Sequence, residues 1–197
     1  NITQGKGWSY GGEVLLQKEK GKWNGWIGYT LSWTYVQFDS INFGKKFFPR
    51  YDRRHDISIV NIYKFNDHIK LSCTWVYGTG NAITLPLAQY NAAPHNPSEN
   101  DGYTTASFFG FNSNFRNDYG EKNGFRMAPY HRLDVGIQFT KVKKRYTRTF
   151  ELSFYNAYNR WNPFFYYIER GQTATQNKLM QITLFPILPS VSWSWKF

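Results

Sequence analysis

One cysteine, Cys73, is the only thiol this chain has. No internal disulfide framework can form, and its place in an apolar row makes it a small packing residue rather than a nucleophile. Acidic residues are scarce too: 13 Asp and Glu stand against 24 Lys and Arg, a formal charge of +11. That balance raises nucleic acid or an anionic surface as a partner. The basic residues, however, are scattered or gathered in turn-like runs such as Lys18 to Lys22 and Lys141 to Arg145. No helix carries a basic face and no zinc or recognition-helix spacing appears, so nucleic acid is not an expected partner. Nor does any stretch approach the ~20 consecutive apolar residues of a membrane helix. Mean hydropathy is −0.59, but such an average is blind to strands whose apolar and polar residues alternate. The opening Asn1-Ile2-Thr3 has neither a Met nor the layout of a signal peptide and reads as the start of a mature or cut product.

Aromatic residues are abundant, with 15 Tyr, 17 Phe and 8 Trp. They fall in alternation. From Trp23 the odd positions are Trp23, Gly25, Ile27, Tyr29, Leu31, Trp33 and Tyr35, while Asn24, Trp26, Gly28, Thr30, Ser32 and Thr34 lie between them. Successive side chains of a strand point to opposite faces, so one face is aromatic and aliphatic and the other mainly small and polar. A strand of ~13 residues exceeds the usual soluble length and suits a tilted membrane crossing.

The pattern recurs over Tyr10 to Leu16, Ile57 to Phe65, Ile69 to Tyr77, Leu133 to Phe139 and Phe150 to Phe154. The last of these is expected to run on irregularly through Asn162-Pro163 into Phe164 to Tyr167. The final segment, Ile182 to Phe197, shifts its apolar parity between Leu188 and Val191, which reads as a β-bulge beside Pro186 and Pro189. Seven strands result. Their connectors alternate: short near Lys20, Asn66 and Lys144, longer over Ser40 to Arg50, Thr79 to Met127 and Arg170 to Asn177. Outer-membrane barrels alternate tight periplasmic turns with extended extracellular loops in this way. With a periplasmic C-terminus, all three short turns fall at the periplasmic end. A soluble sandwich also alternates, yet runs of ten or more residues and aromatics gathered at strand ends favour a membrane wall with aromatic girdles.

Chemistry is sparse. The histidines His55, His68, His95 and His131 form no metal-ligand spacing. His55 with Asp56, and His131 with Asp134, could make a rim catalytic pair, but in each the two residues have opposite parity and should face opposite sides of the wall. No catalytic residue, metal or cofactor is expected. Glu13, Lys70, Arg132, Asp134, Gln138 and Glu151 should line the inner, polar face, Arg132 pairing with Asp134. Ligand contact is expected in the long extracellular loop, about 79–127, from Tyr90, His95, Asn100, Asp101 and Tyr103, since loops on a rigid wall carry recognition.

The ending from Thr183 to Phe197, with its alternating Trp193, Trp195 and terminal Phe197, resembles the close of TonB-dependent outer-membrane receptors of the Bacteroidetes type. Tyr51-Asp52-Arg53-Arg54-His55-Asp56 and Arg126-Met127-Ala128-Pro129-Tyr130-His131-Arg132-Leu133-Asp134 are similar to stretches of that family. The resemblance implies an all-β antiparallel transmembrane barrel of 22 strands around a plug. Residues 1–197 would supply about the last seven strands and neither the plug nor a TonB box. It further implies energy-coupled, non-enzymatic uptake of a nutrient (siderophore, glycan, peptide or cofactor) at the cell outer membrane. Partners would be the rest of the barrel and its plug, the TonB complex, outer-membrane lipid, a surface lipoprotein, and the barrel-assembly machinery reading Trp193, Trp195 and Phe197. A small autonomous barrel acting as adhesin or rim hydrolase, and a soluble carbohydrate-binding sandwich, are the rival readings.

Overall fold

The structure, a computed structural model, describes residues 4–91, 115–169 and 177–197. Seven strands make one antiparallel sheet: β1 (Gly5–Lys18), β2 (Trp23–Phe38), β3 (His55–Lys64), β4 (Ile69–Gly78), β9 (Tyr130–Val142), β10 (Thr147–Tyr155) and β13 (Leu188–Lys196), in that spatial order. Three two-stranded ladders stand apart: β5 (Ala82–Ile83) with β8 (Phe125–Arg126), β6 (Pro86–Asn91) with β7 (Phe115–Tyr119), and β11 (Pro163–Glu169) with β12 (Lys178–Thr183). Each strand of the large sheet pairs with the next in its order, β4 reaching past β5 to β8 to pair with β9, and β10 past β11 and β12 to pair with β13. No helix among the described residues is long and apolar enough to cross a membrane.

Because neighbours are antiparallel, the three short turns, β1–β2, β3–β4 and β9–β10, all lie at one end of the sheet, and the long connectors lie at the other. Local chemistry fixes the turns. Gly21 takes φ +96° in the first, where a side chain would be strained. In the second, the Asn66 side-chain oxygen accepts the backbone N–H of His68 at 2.8 Å and of Ile69 at 2.9 Å. His68 Nδ1 sits 3.0 Å from the Thr140 carbonyl, tying this turn to β9.

The register carries the alternation across all seven strands. One row runs Leu16–Ile27–Ile59–Trp75–Leu133, and another, closer to the short turns, Trp23–Tyr63–Leu71–Ile137–Leu152–Val191. A slip of one residue in any pair would exchange the faces, and none occurs within the sheet. The apolar face is banded. At the short-turn end stand Trp23 against Tyr63 (ring centres 4.8 Å apart), Phe139 against Phe150 (6.3 Å) and Phe150 against Trp193 (6.3 Å). At the other end stand Tyr10 against Trp33 (5.4 Å) and Trp75 against Tyr77 (6.1 Å). Val, Leu and Ile dominate between.

Among the described residues no second layer of strands covers this face; connector side chains touch only its long-connector end, Arg54 over Trp33 at 4.7 Å and Phe48 against Tyr35 at 4.9 Å. Trp8, Tyr10, Val14, Leu16, Trp193 and Trp195 are exposed, and β1 and β13 are exposed along their whole length. Among the described residues the buried apolar side chains are Phe47, Ala82 and Met127, all in the connectors.

The described strands form an all-β antiparallel sheet that is open, with β1 and β13 as its two edges. Two expectations are corrected. Phe150 to Tyr167 is not one irregular strand. The chain turns at Asn156 and Asn159, both at positive φ, a conformation Asn tolerates. Asn156 is buried, its amide donating to the carbonyls of Arg160 (2.9 Å) and Phe185 (3.2 Å), and the aromatic run that follows forms β11. The final segment holds no bulged strand either. Ile182 belongs to β12 and Val191 to β13, and Phe185 at φ +55° with Pro186 separates them. A change of partner therefore causes the parity shift. The stretch from Thr79 to Met127 contains four short strands, β5 to β8.

Candidate functional site

The polar face and the long connectors hold the charged groups. Glu13, Lys70, Arg132, Asp134, Gln138 and Glu151 share one face by register, and Lys70, Gln138 and Glu151 lie side by side in one row of β4, β9 and β10. Arg132 and Asp134 meet as expected, Nη2 to Oδ2 at 2.9 Å and Nε to Oδ2 at 3.0 Å. Arg132 Nη1 also donates to the Tyr130 and Tyr155 hydroxyls at 2.9 and 2.8 Å, and its guanidinium lies 4.1 Å from the Tyr155 ring centre. Asp134 Oδ1 accepts the Asn156 backbone N–H at 2.9 Å. These groups are committed to the sheet itself, so the cluster braces β9 against β10 and the turn after it.

The histidines find tyrosines instead of carboxylates. His131 Nδ1 is 2.7 Å from the Tyr158 hydroxyl, and His55 Nδ1 is 2.9 Å from that of Tyr29. Burial holds the Tyr158 phenol above the usual tyrosine range, so it stays protonated. Asn162 clamps His131 by its backbone, accepting its N–H at 3.0 Å and donating to its carbonyl at 2.9 Å. His131 stands opposite Tyr77 on the apolar face and Asp134 opposite Thr74 on the polar face. The opposite-parity argument thus holds for this pair, and Asp56 takes Arg53 (3.1 Å) instead of His55. No group of three His, Cys, Asp or Glu among the described residues could hold a metal ion.

A feature that the sequence reading missed joins two connectors. Asp52, 2 % exposed, pairs with Nη2 of Arg126, seventy-four residues away. Its Oδ1 accepts the Thr34 backbone N–H at 2.8 Å, and Arg126 Nη1 donates to the Asp52 carbonyl (2.6 Å) and the Gly80 carbonyl (3.2 Å). Aromatic rings wall it in: Phe48 has Arg126 4.9 Å and Arg54 5.6 Å from its centre, and Arg54 also lies 4.7 Å over Trp33. Both partners sit inside the two stretches that carry the family resemblance, which was the available signal; spacing alone could not pair them. Around this knot, Asn123 donates to the Phe48 carbonyl at 2.7 Å, and a β-carbon on Gly80 would fall 1.9 Å from the Met127 carbonyl oxygen. Ala128 N–H reaches the Tyr166 hydroxyl at 3.4 Å, bringing in the β11–β12 hairpin. The described parts of the long connectors are therefore cross-linked to one another at this end of the sheet.

Of the expected ligand-facing residues, His95, Asn100, Asp101 and Tyr103 lie outside the described residues. Tyr90 is placed by its backbone alone, opposite Arg116 in the β6–β7 ladder. Trp193 and Trp195 stack at 5.3 Å on β13, and the fully open Phe197 ring lies 6.2 Å from Tyr146. No protein-family model, curated protein or solved structure matches this chain.

Proposed function

We propose that this chain forms seven consecutive wall strands of a larger outer-membrane β-barrel of the TonB-dependent transporter class, part of a machine for energy-coupled, non-enzymatic nutrient uptake. The observation that carries this reading is the apolar face, which runs over seven strands, is banded aromatic, aliphatic, aromatic, and has no second layer on it among the described residues. A soluble sheet of this size would bury such a face under a second layer; lipid covers it here. Trp23 and Trp33 mark the two aromatic belts on β2. Ten residues span about 33 Å along a strand, or about 25 Å of depth at a tilt of about 40°, the height of the apolar band of such barrels.

Two exposed edges argue for more strands. Unpaired N–H and C=O groups in lipid cost several kcal/mol each, so β1 and β13 need partners, and bacterial single-chain barrels have even strand numbers. In the complete barrel, Glu13, Lys70, Arg132, Asp134, Gln138 and Glu151 face the lumen and a plug. The knotted connectors form the extracellular rim, and the short turns face the periplasm. Trp193, Trp195 and Phe197 present the signal for barrel assembly.

The test is recovery of the native polypeptide from the envelope. A chain of several hundred residues in the outer-membrane fraction, extracted only by detergent and carrying an N-terminal plug, is the expected result. A heat-modifiable barrel no larger than the present chain would overturn the transporter assignment, and a detergent-independent protein would overturn the membrane wall.

A further inference from the structure

The wall reading leaves the charge at the short-turn end unused. Residues 18–23, 64–70 and 141–148 hold ten Lys and Arg against Glu19 and Asp67, so most of the net positive charge gathers at one end of the sheet. Within it, Lys141 and Arg148 are direct cross-strand partners, and Arg148 in turn stands opposite Trp195. Both continue the parity of Phe139 and Phe150, so both stand on the apolar face, one step beyond the Phe139–Phe150–Trp193 row. Like charges directly opposite each other destabilise a strand pair. An acidic neighbour would relieve them, yet both side chains are exposed and neither joins any ion pair among the described residues.

The surroundings specify what would relieve the repulsion. Arg148 lies 5.6 Å from the centre of the Trp193 ring. On one side of the two cations is the basic turn of Lys143, Lys144 and Arg145; on the other is the aromatic and aliphatic ladder. The site therefore suits a molecule with an anionic head and an apolar tail, its head towards the turns. A phosphodiester matches, because a guanidinium fork takes two of its oxygens while an ammonium neutralises it as a point charge. Free phosphate would satisfy the cations but leave Phe150, Val191 and Trp193 without a partner.

We propose that Lys141 and Arg148, flanked by Trp193 and Trp195, bind the headgroup phosphate of an anionic phospholipid in the leaflet beside the short turns, with its acyl chains along Phe150 and Val191. The inference rests on the membrane-wall reading. Basic residues at an anionic leaflet each strengthen attachment by about fivefold, and here two of them converge on one head.

The full polypeptide, purified from the outer membrane, is reconstituted in bilayers of phosphatidylethanolamine with a minor share of phosphatidylglycerol. The ratio of the two lipids retained after mild detergent is then read by native mass spectrometry. Phosphatidylglycerol should be enriched on the parent protein and on Lys20→Gln/Lys22→Gln, which removes equal charge from the first turn. The enrichment should fall by about an order of magnitude on Lys141→Gln/Arg148→Gln. An equal fall in both double variants, no enrichment on the parent, or displacement of the lipid by inorganic phosphate alone overturns the site. A protein that enters bilayers without lipid preference sinks only this inference; one that stays out of bilayers sinks the wall reading with it.

Discussion

At the scale of single residues, the Asp52–Arg126 pair matters most, because a buried carboxylate there holds together what would otherwise be loose connectors. Asp52 also substitutes for a missing strand: β3 pairs with β2 only as far as Leu31, and the Asp52 side chain takes the Thr34 N–H beyond that point. Replacing Arg126 with Met leaves that carboxylate buried without its cation. Breaking a buried pair costs about 3–5 kcal/mol, reduced here to about 2–3 because Arg126 is partly open to water. We expect amide exchange at Thr34 and over 50–54 to accelerate by well over tenfold, and adding Asp52→Asn to recover part of the loss. Unchanged exchange in Arg126→Met would remove the pair from the account. Asn66→Ala should be milder. It strips two backbone N–H groups of their acceptor, about 1 kcal/mol, read as faster exchange confined to His68 and Ile69.

At the scale of elements, every hairpin with a short turn points the same way, which fixes an orientation that can be tested on cells. A protease-recognition insert after Glu121, in the connector layer, should be cut when protease is added to intact cells. One after Asp67, in the β3–β4 turn, should be cut only once the envelope is opened. The reverse pattern would invert the wall. The alternation made these hairpins legible from residues alone: the odd row of β2 and the Leu133-to-Phe139 row of β9 reappear with the expected parity in the register. It failed where the chain changes partners. The period of two cannot tell a bulge from a break between β12 and β13, because both shift parity by one. Nor does it register Asn156 and Asn159, whose left-handed backbone ends β10 through long-range hydrogen bonds. Pairs such as Asp52 with Arg126 stayed hidden for the same reason, since nothing local to either residue names its partner. The row of Lys70, Gln138 and Glu151 was readable because facing depends only on parity.

At the scale of the whole molecule, the fold makes sense as part of a surface and not as a globule. Its described apolar core amounts to three connector residues, while its apolar face carries no second layer among the described residues. On the proposed wall reading stability comes from ladder hydrogen bonds, lipid and the strands that complete the wall, so the isolated chain in water should aggregate through β1, β13 and the apolar face. Light scattering of the purified chain with and without detergent checks this; a monodisperse detergent-free monomer would contradict it. The central claim is which face meets lipid. The most direct measurement places single cysteines at consecutive positions 27 to 32 of β2, in the full polypeptide carrying Cys73→Ala, and labels them in native outer membranes. Cysteines at 27, 29 and 31 should resist a water-soluble maleimide and be quenched by nitroxide-bearing lipid, while those at 28, 30 and 32 should do neither. Uniform labelling along the strand, or quenching at the even positions, would show that the apolar face does not meet the bilayer.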